Sequence, residues 1–148
     1  MAEGAGRKAL AEARRWLATP YVHQASCCGA GADCLGLIRG IWRALYGAEP
    51  EQVLPYSPDW AEARGGEDLL QAAERWLLRK AVTDAALGDV LLFRMRDQGA
   101  AKHLGLQSAL GAQARFIHAY SGHEVTESSL SLPWARRIAA RFAFPPPA

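Results

Sequence analysis

Cys34 stands where a run of small and polar residues, Ser26-Cys27-Cys28-Gly29-Ala30-Gly31-Ala32, gives way to an apolar pattern with helical spacing. A cysteine in that position can act as a nucleophile. Leu37, Ile38, Ile41 and Leu45 recur at helical intervals, and Gly47 follows where a C-terminal cap belongs. Cys34 therefore falls in the first turn, with Asp33 as the N-cap. The unpaired N–H groups and positive dipole end of a helix favour thiolate over thiol, and thiolate is the reactive species. A cysteine beside an apolar helix face is more often a small buried hydrophobe, so the nucleophile needs a base elsewhere in the chain.

Two histidines answer that need. His103 opens a predicted strand over 103–110, and His118 lies near the end of the next, 115–120. In an antiparallel hairpin the start of one strand lies beside the end of the next, so the two imidazoles become neighbours. If the helix that begins at Cys34 packs on this sheet, its sulfur reaches His103. That imidazole would take the thiol proton and return it to a leaving amine. His118 would then hold His103 in one tautomer. Either histidine alone would more often be a satisfied structural residue; with a cysteine at a helix mouth the set points to catalysis. His123 follows in a turn and reads as exposed. His23 with Cys27, Cys28 and Cys34 supplies zinc-type ligands, but adjacent cysteines rarely serve one tetrahedral ion, and no metal or other cofactor is expected.

These residues must be positioned by a chain of 148 residues, half of them hydrophobic, which suits one core and one domain. Seventeen basic and fifteen acidic residues nearly balance, which argues against a nucleic-acid footprint. Arg136, Arg137 and Arg141 read as a solvated face. Three cysteines make no disulfide framework. Met1-Ala2-Glu3-Gly4 lacks the pattern of a signal peptide and no apolar run reaches membrane-spanning length, so synthesis in the cytoplasm is expected.

A helix is predicted over 7–18, with Leu10, Ala13 and Leu17 on one face, stopped by Thr19-Pro20. The glycine-rich stretch 26–32 is expected to be an irregular loop. Pro50, Pro55 and Pro58 break a connection in which Trp60-Ala61-Glu62-Ala63 forms a short helical turn, and 67–80 reads as a helix. From Gly88 the pattern changes to short β runs: 90–95, 103–110, 115–120, 124–128 and 138–144. Asp97-Gln98-Gly99-Ala100 forms a turn between the first two. Helices first and an antiparallel meander second make an α+β arrangement, N-terminal helices packed on a central sheet. A helical insertion falls at about 48–85.

Thr19-Pro20-Tyr21, Asp33-Cys34-Leu35-Gly36-Leu37, Gly88-Asp89-Val90-Leu91-Leu92-Phe93, His103-Leu104-Gly105-Leu106 and Phe116-Ile117-His118-Ala119 follow one another in an order that resembles the NlpC/p60 cell-wall peptidases. Each motif is weak, but five in order are specific. The resemblance covers roughly 7–144, apart from the insertion. It implies a papain-like cysteine peptidase that hydrolyses an amide in the peptidoglycan stem peptide, typically between D-γ-glutamate and a diamino acid. Cys34 carries over as nucleophile, His103 as general base and His118 as the orienting residue. Tyr21 and Asp33 carry over as substrate-pocket residues, Asp33 to meet the substrate's amine. Many members have serine after the cysteine. Leu35, which fills that place here, has no hydrogen-bonding side chain.

The closing stretch, Val125-Thr126-Glu127 through Leu132-Pro133-Trp134-Ala135-Arg136-Arg137 to Phe144-Pro145, is similar to the branch of tail-associated peptidases of phages and gene transfer agents. Phage-like tail or baseplate proteins are the partners that this implies. A structural tail component using the fold as a binding module, and an acyltransferase or amidase on the same fold, are the competing readings.

Overall fold

The computed structural model describes residues 2–50, 68–96 and 99–146. Trp60-Ala61-Glu62-Ala63 and the rest of 51–67, within the insertion expected at 48–85, lie outside them, as do Asp97 and Gln98 of the expected turn. Helix α1 (Ala2–Arg15) is followed by β1 (Ser26–Cys27), β2 (Gly31–Ala32), α2 (Cys34–Tyr46), α3 (Asp68–Trp76), β3 (Leu78–Lys80), β4 (Val90–Arg94) and β5 (Ala101–Ala109). Then come β6 (Arg115–His118), β7 (Thr126–Ser129), the one-turn α4 (Leu132–Ala135) and β8 (Ile138–Ala143). A single 3₁₀ turn, Gly111–Gln113, links β5 to β6. This is an α+β fold.

Six strands pair antiparallel in the order β3-β8-β4-β5-β6-β7. The expected meander holds from β4 to β7. The final strand then departs from it, crossing back to lie between β3 and β4. Buried Val90, Leu92, Leu104, Leu106, Ile117, Ala140 and Phe142 turn one face of the sheet toward the helices. There they meet Leu37, Ile38 and Ile41 of α2, Ala9 and Ala13 of α1 and Leu69 and Ala73 of α3. Leu91, Phe93 and Phe116 form a second, smaller core on the opposite face, closed by Met95, Leu130, Trp134 and Ile138.

Two expectations change. The glycine-rich stretch 26–32 forms a hairpin, Ser26↔Ala32 and Cys27↔Gly31, because Gly29 (φ +82°) supplies the left-handed residue of its turn and the flanking backbone is free to pair. The helix expected to run to Lys80 stops at Trp76, and residues 78–80 pair with β8 at the sheet edge. Local helical spacing there yields to the unpaired backbone of a neighbouring strand.

Gly40 sets how closely α1 and α2 approach. Any Cβ at that position would overlap the indole of Trp16, which follows α1 and is 2% exposed.

Candidate active site

Asp33 fixes the mouth of α2. Its Oδ1 accepts the N–H of Gly36 at 2.7 Å, the N-cap bond that the sequence predicts, and its Oδ2 accepts the N–H of Gln24 at 2.7 Å. Gln24 adopts φ 67°, in the left-handed region, while presenting that N–H. Asp33 is therefore 3% exposed and ties the preceding loop to the helix. His23 Nδ1 lies 3.8 Å from the same carboxylate. At the other end, Gly47 caps the helix through its N–H to the Arg43 carbonyl.

The pairing of β5 with β6 runs from Ala109↔Arg115 to Leu106↔Ile117. Residues 102–104 of β5 lie beyond it, and the sulfur of Cys34 reaches the strand there. The thiol donates to the carbonyl of Lys102 at 3.8 Å, and the backbone of Leu104 bonds the sulfur in turn. Cys34 thus sits against the main chain on both sides of His103. Among the described residues its hydrogen bonds go to backbone and to no imidazole.

The two histidines do meet. Extending the β5–β6 register by one residue sets Gly105 opposite His118 and His103 two positions along the same face. A Cβ at Gly105 would overlap the ring of Phe116, and the two imidazoles meet across the diagonal. His103 Nε2 lies 2.8 Å from His118 Nδ1, and His118 Nε2 lies 3.0 Å from the hydroxyl of Ser128 on β7. Nδ1 of His103 makes no hydrogen bond to the described residues.

Both imidazoles are buried, His103 at 6% and His118 at 3% exposure, in an aromatic setting. Trp134 on α4 lies over them, its ring centroid 5.6 Å from that of His103 and 5.2 Å from that of His118. Phe93 flanks His103 at 5.7 Å, and Phe116 backs His118 at 4.2 Å. Tyr120 closes the exposed side, 5.7 Å from His103. Trp134 and Ser128 carry no sequence signal for this role, because they reach the histidines only through the return of the chain across the sheet.

Burial decides the charge states. It pushes His103 down to about 3, with the neighbouring His118 acting in the same direction, and pushes His118 down to about 4, helped by His123. The Cys34 thiol is pushed up to about 12, first by burial and then by the negative charge of Asp33. Hydrogen bonds from the backbone of Leu104, Leu35 and Cys34 pull the other way and are outweighed. The thiolate expected at this helix mouth therefore gives way to a neutral thiol, and both imidazoles are neutral.

A raised thiol pKa has a measurable sign: the reactive anion is scarce at neutral pH and increases about tenfold per pH unit up to the pKa. Alkylation by iodoacetamide, read by peptide mass spectrometry, should therefore label the exposed Cys27 and Cys28 first. Labelling of Cys34 should still be accelerating above pH 10. A Cys34 rate that levels off below pH 8 would show a stabilised thiolate instead.

Tyr21 adjoins this end of the helix, its backbone bridged to Ala32. Its hydroxyl pKa is raised by burial, then by the charges of Asp33 and Cys34, against a hydrogen bond with Ser121. Leu35 is partly buried against the main core, so its side chain joins the helix–sheet packing. Tyr21, Asp33 and Cys34 thus form one cluster and His103, His118 and Ser128 another, meeting at the backbone of 102–104. Among the described residues no three His, Cys, Asp or Glu side chains gather as a metal cluster, and no helix is long and apolar enough to cross a membrane.

No protein-family model and no curated protein sequence matches the chain. Solved structures do. The chain is similar to the NlpC/p60 domain of the peptidoglycan hydrolase SagA, with TM-score 0.60 and 24% identity over 95% of this chain and 97% of that one. It is similar to an NlpC/p60 family protein from Bacillus cereus, with TM-score 0.62 and 16% identity over 92% of this chain and 39% of that one. An NlpC protein from Trichomonas vaginalis aligns with TM-score 0.60 and 21% identity over 93% of this chain and 46% of that one. The chain thus spans nearly the whole SagA domain and less than half of the other two. At these identities the likeness establishes the fold, which is that of NlpC/p60 domains.

Proposed function

We propose that the protein is a cysteine peptidase that hydrolyses an amide bond of the peptidoglycan stem peptide, the bond between D-γ-glutamate and a diamino acid. The observation that carries this reading is the buried His103–His118 pair at 2.8 Å, with His103 on the strand whose backbone bonds the Cys34 sulfur at Lys102 and Leu104. The fold shared with the SagA domain, named as part of a peptidoglycan hydrolase, supports the choice of substrate.

The chemistry starts from neutral partners. As substrate enters, the thiol leaves the Lys102 carbonyl and gives its proton to Nδ1 of His103 while sulfur attacks the amide carbon. Because the thiol pKa is high and that of the imidazole low, proton transfer accompanies bond formation and no ion pair accumulates beforehand. The backbone N–H of Cys34, at the start of α2, faces the developing oxyanion. The C–N bond breaks as His103 returns the proton to the leaving amine. Water, deprotonated by His103, then hydrolyses the thioester and regenerates the thiol.

In this reading Tyr21 and Asp33 form the pocket beside Cys34, and Leu35 presents an apolar wall where a serine would offer a hydroxyl. The closing stretch around Trp134, similar to that of tail-associated peptidases, supports delivery to the bacterial wall by a phage-like tail particle. The bond between Cys34 and the Lys102 carbonyl favours a second reading, a non-hydrolytic assembly module in a tail. Digestion of diaminopimelate-type peptidoglycan, with fragments identified by mass spectrometry, separates them. Release of peptides that end at D-γ-glutamate is expected. No release from any wall type under reducing conditions would leave the assembly reading.

A further inference from the structure

The hydrogen-bonded chain that begins at His103 does not stop at His118. Its Nε2 lies 3.0 Å from the Ser128 hydroxyl, and among the described residues that imidazole is the hydroxyl's one hydrogen-bonding partner. We propose that Ser128 is a positioning residue that sets the direction of the imidazole chain, accepting the Nε2–H of His118 so that the base nitrogen of His103 is left bare. The proposal rests on the peptidase reading for its catalytic consequence, though not for the tautomers themselves.

The logic is one of donors and acceptors. A neutral imidazole carries one N–H and one lone pair, so a bond between two neutral rings has a single direction. If Ser128 accepts from His118 Nε2, then His118 Nδ1 is an acceptor and must take the Nε2–H of His103. Nδ1 of His103 is then a lone pair, the state a general base needs. If Ser128 donates instead, every bond reverses and Nδ1 of His103 carries a hydrogen. That ring could not accept the thiol proton, and its N–H would stand without an acceptor among the described residues.

The surroundings favour the first direction. Ser128 is half-buried, so its own hydroxyl hydrogen can turn to water while a lone pair faces His118. His118 is 3% exposed and packed against Phe116, so its Nε2–H has no comparable access to solvent. Position in the sheet holds the contact. Ser128 pairs with Phe116 across β6 and β7, which puts its side chain diagonal to His118 on one face.

Long-range nitrogen–proton NMR of uniformly ¹⁵N-labelled protein reads the tautomers directly, and with four histidines in the chain the ring signals are separable. Wild type is expected to show Nε2–H on both His103 and His118. Ser128→Ala should bring an Nδ1–H population onto one or both rings and lower kcat about tenfold with KM little changed, a part of what a general base supplies. Ser128→Thr, which keeps the hydroxyl, should restore both readouts. If alanine unfolds the edge strand, Ser128→Cys, close in size and a weak acceptor, replaces it.

Nδ1–H tautomers in wild type would overturn the proposal. So would unchanged tautomers in Ser128→Ala or Ser128→Cys, or failure of Ser128→Thr to rescue. A wild-type protein that hydrolyses no wall material fails the peptidase reading alone, because the ring signals still decide the role of Ser128.

Discussion

Replacing Cys34 with alanine is expected to reduce peptidoglycan hydrolysis to background while leaving the fold in place. The sulfur is partly buried, and its hydrogen bonds go to the backbone at 102–104, which β4 continues to hold through Phe93↔His103 and Leu92↔Leu104. Its loss removes the nucleophile and little packing. His103→Ala should fall nearly as far, since general-base assistance is worth about 10²–10⁴-fold. His118→Gln should lose less, because a glutamine carbonyl can still accept the Nε2–H of His103. Residues acting as one unit do not lose activity additively, so the Cys34→Ala/His103→Ala double variant should be no slower than Cys34→Ala. Fragment release by mass spectrometry and thermal melting, run on the same preparations, test the ladder. Hydrolysis that survives in Cys34→Ala would rule the mechanism out.

The largest loss of stability is expected at Asp89→Ala, far from the chemistry. Asp89 is 2% exposed and accepts from Arg141 at 2.8 Å, from Lys80 at 2.9 Å and from the N–H of Ala86. Arg141, 3% exposed on β8, also donates to the Gln107 side chain and the Val82 carbonyl. Strands β3, β5 and β8 and the turn that leads into β4 are thus joined by one buried, satisfied network. Removing the carboxylate strands a guanidinium in the core, which costs about 3–5 kcal/mol, a large part of the roughly 5–15 kcal/mol that holds a domain of this size. Urea unfolding followed by circular dichroism should show that drop, and Asp89→Ala/Arg141→Met should recover part of it. A single variant within about 1 kcal/mol of wild type would mean that water reaches the network.

Much of the site is legible in the sequence because its parts are local. Asp33 before Cys34 announces a capped helix, and the helix forms as read. His103 at a strand opening and His118 near the end of the next require only antiparallel pairing to meet. What the sequence hides depends on distant returns of the chain. Trp134 covers the histidines from a single helical turn with no periodicity of its own. Ser128 looks like any strand serine until β7 lies beside β6. The glycines of 26–32 suggest irregularity, whereas one of them makes a hairpin turn. The Cys34 thiol pKa goes against the helix-mouth argument, since burial and the Asp33 carboxylate are tertiary consequences that a motif does not carry. The strand at 78–80 and the place of β8 follow from which sheet edge is vacant, information that no single segment holds.

The return of β8 between β3 and β4 bears on how the protein is made. β4 must leave one side open until residues 138–143 have emerged from the ribosome, and Arg141 arrives with them to meet an Asp89 already in place. Helices α1 and α2 can form early; the sheet beneath them cannot close. A ribosome that stops at Arg137 would release a chain with Cys34, His103 and His118 all present, the middle of its sheet missing and Asp89 facing a gap. Such a product should aggregate or be degraded and should not survive as a loosened form of the same fold. Any tag or proteolytic clip that loosens this late strand acts on the centre of the fold.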